Sequence, residues 1–171
     1  MIYEPAEDSY LILGHIKDYA KNKKVLDIGT GSGILAKEAL KYSRDVTASD
    51  INEECLKNLK GIKIIKSNLF EKIKGKYDLI IFNPPYLPKE DMEDEDSSLV
   101  TTGGKKGYEI LERFINELRD HLNKNGKALI VFSSLTNKRK VNFIIKKNFL
   151  KFKLLEKKKI PYEKLYCYLV S

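Results

Sequence analysis

Short, largely apolar runs that alternate with segments of helical spacing most constrain the fold open to this chain. Residues 25–28, 46–49, 62–65, 79–82 and 128–132 read as strands, with helical spacing over 35–42, 53–59, 108–122 and 137–148. A first helix is expected from Pro5 to about Tyr19. Proline suits a first helical position, Glu7 and Asp8 suit the positive end of the helix dipole, and Leu11, Ile12, Ile16 and Tyr19 share one face. Strands that are apolar along their whole length are buried on both sides, which implies a mostly parallel sheet with helices on both faces. Residues 152–155 and 165–170 have no crossover helix between them, so they should close the sheet as an antiparallel hairpin at one edge. The expectation is an α/β fold with a seven-stranded sheet. Its chemistry should follow the strand carboxyl ends, just past Ile28, Ser49, Ile65 and Phe82.

The 171 residues suffice for one domain with its own core, and no repeat or flexible linker divides positions 1–171. Hydrophobic residues at 42% and charged residues at 33% exclude a disordered chain. The net charge of +8 admits an anionic partner such as nucleic acid but does not require one. Cys55 and Cys167 are far apart and lack a CxxC neighbour, so neither a metal site nor a disulfide framework is expected. Cys167 alternates with apolar residues and reads as core. No signal peptide opens the chain, and no run approaches the roughly 18 apolar residues of a membrane span. The expected setting is cytoplasmic, without a membrane partner.

Behind the first strand stands Asp27-Ile28-Gly29-Thr30-Gly31-Ser32-Gly33. Glycines let the backbone turn sharply and admit a ligand with no Cβ in the way. A dinucleotide fingerprint has glycine at its first, third and sixth positions, but Ile34 occupies the sixth here. Counted from Gly29, glycine fills the first, third and fifth instead. That spacing, with Asp27 two residues ahead, resembles the S-adenosylmethionine loop of Rossmann-like class I methyltransferases, although ordinary strand–helix turns also carry glycines. Asp50 lies about twenty residues on, where a carboxylate can accept hydrogen bonds from both ribose hydroxyls. It could equally cap the helix that follows, a role Asn52 could also fill. Asn68 stands after the third strand, where resembling families often place Asp to accept from the adenine amino group, and Leu69 would pack beside the ring. Asp27 would complement the positive sulfonium and amino group.

The run Asp78-Leu79-Ile80-Ile81-Phe82-Asn83-Pro84-Pro85-Tyr86 is the most informative stretch. A buried strand ends in Asn, two prolines then fix the backbone, and an aromatic ring follows. The Asn83 side-chain oxygen and the Pro84 carbonyl offer two acceptors to one NH2 group, and Tyr86 offers a face on which a planar group can stack. Such a clamp suits methylation of an amide or exocyclic amine. Its lone pair is delocalised, so catalysis reduces to positioning and electrostatics, with no dedicated general base.

Together these residues resemble the HemK-like protein-glutamine N5-methyltransferases, which modify the glutamine of the GGQ motif in translation release factors. Tyr3-Glu4-Pro5-Ala6-Glu7-Asp8-Ser9 looks like the opening of the archaeal and eukaryotic branch, and Gly103, Gly104, Gly107, Glu109, Arg113 and Phe114 match its segment after the Asn-Pro-Pro-Tyr loop. The resemblance implies a class I fold using S-adenosylmethionine and releasing S-adenosylhomocysteine. It assigns cofactor contacts to Ser9, Asp27, Gly29, Asp50, Asn68 and Leu69, and Asn83 to the acceptor amide; the reading of the residues themselves adds Gly31 and Asn83 to the expected cofactor contacts and Pro84 and Tyr86 to the expected catalytic set. Ser9 stands where Thr is common and keeps the hydroxyl, whereas Asn68 replaces a common Asp and loses a charge. The branch also works with a small zinc-binding activator that adds a strand to a sheet edge; Ile62, Lys63, Ile64 and Ile65 should form that edge.

Other readings stay open. The Asn-Pro-Pro-Tyr motif is shared with DNA and RNA amino-methyltransferases, although this short chain has no obvious target-recognition domain. A protein-lysine acceptor is a further alternative, and a non-catalytic cofactor-binding subunit would have no need of the clamp. Residues 90–96 hold six acidic side chains in seven and read as a solvated loop placed to cover the acceptor. The basic clusters Lys138-Arg139-Lys140 and Lys157-Lys158-Lys159 are solvated surface or a contact for RNA or an acidic protein face.

Overall fold

Five strands run parallel: β1 (Lys24–Ile28), β2 (Asp45–Asp50), β3 (Lys63–Lys66), β4 (Tyr77–Phe82) and β5 (Leu122–Ser133). With the antiparallel β6 (Phe152–Ile160) and β7 (Glu163–Val170) they complete one sheet in the order β3-β2-β1-β4-β5-β7-β6. The computed structural model describes residues 4–88 and 101–171; Tyr3 of the opening segment and the acidic run 90–96 lie outside them. As expected, the sheet is mostly parallel, the C-terminal hairpin is antiparallel, and β3 is an edge. The reversal of strand order at β1 and β4 opens a crevice beyond their carboxyl ends.

Alternation along each strand divides the core in two. Leu26, Ile28, Ile80, Phe82 and Ile130 pack with α3 (Glu109–His121) and α4 (Lys138–Lys147). Val25, Leu79, Ile81, Leu129 and Val131 pack with α1 (Glu7–Ala20) and α2 (Ile34–Leu40). Both faces of the central strands are therefore covered, which is why they read as unbroken apolar runs. Among the described residues, no helix is long and apolar enough to cross a membrane.

Three elements differ from expectation. The helix foreseen over 53–59 is a single 3-10 turn, Glu53–Leu56, because Lys57 is already extended and Asn58 is left-handed at φ 63°. The chain there turns inward to bury Leu59 against Gly33. Helix α1 begins at Glu7 after an extended Ala6, so Pro5 precedes the helix and does not open it. The hairpin strands extend to Ile160 and from Glu163, joined by Pro161 and a left-handed Tyr162. Cross-strand pairing with β7, not burial, holds the Lys-rich end of β6.

Phe114 supports the carboxyl end of β4 from below: it is fully buried, with its ring centre 4.5 Å from that of Phe82 and 5.3 Å from that of Phe70. Phe114→Ala should cost about 3–5 kcal/mol of unfolding free energy, read from the urea midpoint at unchanged m-value.

Candidate active site

The loop after β1 turns back on itself with Gly29, Gly31 and Gly33 at φ 63°, 52° and 77°, a region other residues enter only with strain. At Gly33 a Cβ would also collide with the Leu59 side chain. Two carboxylates brace this loop. Asp27 Oδ2 accepts from Thr30 Oγ1 at 2.6 Å and from the Ala36 N–H at 3.1 Å. Asp50 Oδ2 accepts from the Gly31 N–H at 3.0 Å, and its Oδ1 from the Asn52 N–H at 2.8 Å. The Cys55 side chain also hydrogen-bonds to this carboxylate, which still has accepting capacity for a further donor.

A cavity of about 630 Å³ opens between this loop and the end of β4, within the size range of small-molecule sites. Ser9, Gly29, Gly31, Asp50, Asn68, Leu69, Asn83, Pro84 and Tyr86 all line it, so one cavity gathers nearly every residue singled out in the sequence. Asp27 is the exception. Its carboxylate lies fully buried beneath the loop and outside the cavity wall, and its Oδ1 has no hydrogen-bond partner among the described residues. Leu69 is held at φ 50° by Ser67, whose hydroxyl donates to the Leu69 carbonyl at 2.9 Å and accepts from the Lys72 N–H at 3.0 Å. Asn68 Nδ2 donates to Glu71 Oε1 at 2.8 Å, which commits the amide nitrogen and leaves its oxygen available.

The end of the cavity formed by the loop after β4 is tied to α1. Asn83 Nδ2 donates to Ser9 Oγ at 3.2 Å, and the Tyr86 hydroxyl donates to Asp8 Oδ2 at 3.0 Å. Asn83 Oδ1 is thereby left buried, with no partner among the described residues. Thr136 Oγ1 fixes the Tyr86 carbonyl at 3.0 Å. Beneath the loop runs the segment 101–107: the Leu87 N–H donates to the Thr101 carbonyl and the Gly103 N–H to the Leu87 carbonyl, both at 2.9 Å. Side chains would not fit there. A Cβ on Gly103 would strike the Gly107 and Pro85 carbonyls, and one on Gly107 would lie 2.6 Å from the Tyr86 carbonyl.

Sequence reasoning missed Asp8, which it treated as a helix-dipole residue. The signal was its spacing: Asp8 lies four and eight residues before Ile12 and Ile16, on the stripe that α1 buries. A carboxylate on a buried stripe requires partners. Thr136 carried no comparable mark.

The family model described as methyltransferase small domain matches residues 6–162. A putative protein N5-glutamine methyltransferase of Methanocaldococcus jannaschii is 41% identical over 175 residues, spanning 96% of this chain and 88% of that one. The release factor glutamine methyltransferase of Borreliella burgdorferi is 38% identical over 144 residues, spanning 74% of this chain but half (50%) of that protein. Among solved structures, the E. cuniculi Mtq2–Trm112 complex, responsible for methylation of the eRF1 translation termination factor, matches at a TM-score of 0.83 and 25% identity, over 99% of this chain and 98% of that one.

Burial pushes the Asp27 carboxyl up from 3.8 to about 7, against the hydrogen bonds from Thr30 and Ala36, which lower it. The folded ligand-free protein then binds a proton that the unfolded chain releases near pH 3.8, so Asp27 makes stability fall as pH rises from there to about 7. Asp27→Asn removes that contribution. Its urea midpoint should gain on the wild type between about pH 5 and 8; a difference constant across that range would contradict the assignment.

Proposed function

Since the chain belongs to the methyltransferase small domain family, in its HemK-like protein N5-glutamine methyltransferase branch, we propose that it transfers a methyl group from S-adenosylmethionine to the side-chain amide nitrogen of a glutamine in a translation release factor. The observation that carries this reading is the orphaned Asn83 Oδ1, a buried acceptor at the cavity wall beside Pro84 and Tyr86. A buried acceptor without a donor costs about 1–3 kcal/mol, and an incoming NH2 group would relieve that cost.

S-adenosylmethionine supplies an electrophilic methyl group on a sulfonium. The residues present fit it: a wall of glycine backbone, the Asp50 carboxylate with spare lone pairs for ribose hydroxyls, and the Asn68 oxygen and Leu69 side chain for an adenine ring. Ser9 borders both halves of the site, because its hydroxyl already accepts from Asn83. Asp27 acts beneath this wall, holding Thr30 and Ala36 in place; a cation bound nearby would favour loss of the proton that its buried carboxyl holds in the ligand-free protein.

At the acceptor end, Asn83 Oδ1 and the Pro84 carbonyl each accept a hydrogen bond from one N–H of the amide, which sets the amide plane and raises electron density on nitrogen. Tyr86, pinned by Asp8 and Thr136, covers the other side of that plane. After transfer, the nitrogen loses one proton to solvent and becomes a secondary amide. No residue of the cavity needs to act as a strong base, because positioning and preorganised dipoles supply the rate.

The E. cuniculi relative was solved with a partner, Trm112. A small activator, zinc-binding in this family, would dock here along β3, whose outer edge is unpaired within the sheet and whose Ile64 is 51% exposed. Co-expression that altered neither yield nor activity would remove this element of the proposal.

Radiolabelled S-adenosylmethionine offered release factor, tRNA, rRNA and DNA should label the release factor. Asn83→Ala should lower that transfer by about 10²–10³-fold while leaving cofactor affinity by calorimetry within a few-fold. Label confined to nucleic acid would overturn the acceptor, label on release-factor lysine would redirect it, and full activity in the variant would overturn the clamp.

A further inference from the structure

The positive charge of this chain is concentrated, not spread. Residues 138–171 carry 11 Lys and Arg against 2 Asp and Glu, whereas residues 1–137 carry 21 against 22. The fold gathers that excess on α4, β6 and β7, at the end of the sheet opposite β3. Four of these cations share one face. Lys157 pairs across strands with Tyr166, and Lys159 with Lys164. Lys138 Nζ lies 4.6 Å from the centre of the Tyr166 ring. Residues in register point to the same side of a sheet, and Tyr166 belongs to the core beneath α3 and α4, so all four lie on the α4 side.

None of the four forms an ion pair among the described residues, whereas Lys158 on the opposite face pairs with Glu7. Like charges placed directly opposite each other destabilise a sheet, so Lys159 beside Lys164 is a cost that an external anion would offset. Lysines also guard exposed edge strands against pairing. That accounts for Lys157 and Lys159 on β6, but not for Lys138 on α4 or Lys164 on β7. Tyr162, at the turn between the strands and two residues before Lys164, is fully exposed.

This face adjoins the acceptor end of the cavity. Leu165 pairs with Ser133 at the carboxyl end of β5, and the Lys164 N–H donates to Ser134 Oγ at 3.0 Å. Two residues further on, Thr136 holds the Tyr86 carbonyl.

We propose that the β6–β7 hairpin face binds a single-stranded stretch of nucleic acid, with phosphates against Lys138, Lys157, Lys159 and Lys164 and an unpaired base stacked on Tyr162. The exposed ring among cations decides for this partner over an acidic protein surface, because every base offers a π-face and a carboxylate offers none. That the nucleic acid is RNA rests on the release-factor reading above; the binding itself does not.

The test is fluorescence anisotropy of the full chain with a labelled twelve-nucleotide oligouridylate at several salt concentrations. Binding is expected with a log–log salt slope of about 2–3, as three or four phosphate contacts at about 0.7 each require. The triple variant Lys157→Glu, Lys159→Glu, Lys164→Glu should weaken binding at least about tenfold and lower the slope by about 2. Tyr162→Ala should weaken binding by about tenfold. Lys60→Glu with Lys63→Glu, at the far edge, should change nothing. Equal losses in the two charge-reversed variants would overturn the proposal, as would a glutamate twelve-mer binding as tightly as the oligouridylate. Methyl transfer to isolated release factor should persist in the triple variant. Anisotropy reads binding whether or not transfer occurs, so failure of the catalytic reading and failure of this one are separately visible.

Discussion

Hydrogen bonds from Asn83 to Ser9 and from Tyr86 to Asp8 fasten the loop after β4 to the first turn of α1, across 74 and 78 residues of sequence. The rest of the acceptor end depends on this fastening. Without it the Asn83 amide could rotate, and the buried Oδ1 would have no fixed direction. The prolines cannot supply that direction, because they restrict the main chain but do not orient a side chain. Placing α1 is thus part of building the site, and the Leu11, Ile12 and Ile16 stripe that docks the helix contributes to it at a distance.

The opposite wall follows a comparable logic with carboxylates in place of an amide. Asp27 and Asp50 each stabilise the glycine loop through main-chain or hydroxyl donors, but their surroundings differ. Asp50 lies at the cavity and keeps accepting capacity, whereas Asp27 is sealed beneath the loop, where desolvation dominates. One acid therefore lines the cavity, and the other braces the loop that forms part of its lining.

Much of this was legible in the sequence, for definable reasons. Apolar runs such as Leu79–Phe82 within β4 and the glycine spacing after β1 are local signals with few other solutions, and they located both halves of the cavity. The end of β6 was hidden because its lysines are held by pairing with β7, which leaves no apolar alternation to read. The segment after Asn52 was misread because helical spacing over a few residues cannot report that Asn58 turns left-handed. Asp8 had an adequate local explanation at a helix start, and only the tertiary approach of Tyr86 gave it another. Asp27 was singled out as a cofactor contact but lies beneath the loop and outside the cavity lining, because sequence does not say on which side of a loop a side chain falls.

The contact between the Asn-Pro-Pro-Tyr loop and the segment carrying Gly103 and Gly107 is made of main-chain atoms on both sides. At Gly103 and Gly107 this seam leaves no room for a Cβ, so any side chain placed there would have to shift the main chain of the loop. Variation in what the protein accepts must then arise around the seam, in residues that border the cavity without supporting its floor. The glycines thus fix the main-chain floor of the cavity and leave side-chain replacement to its rim.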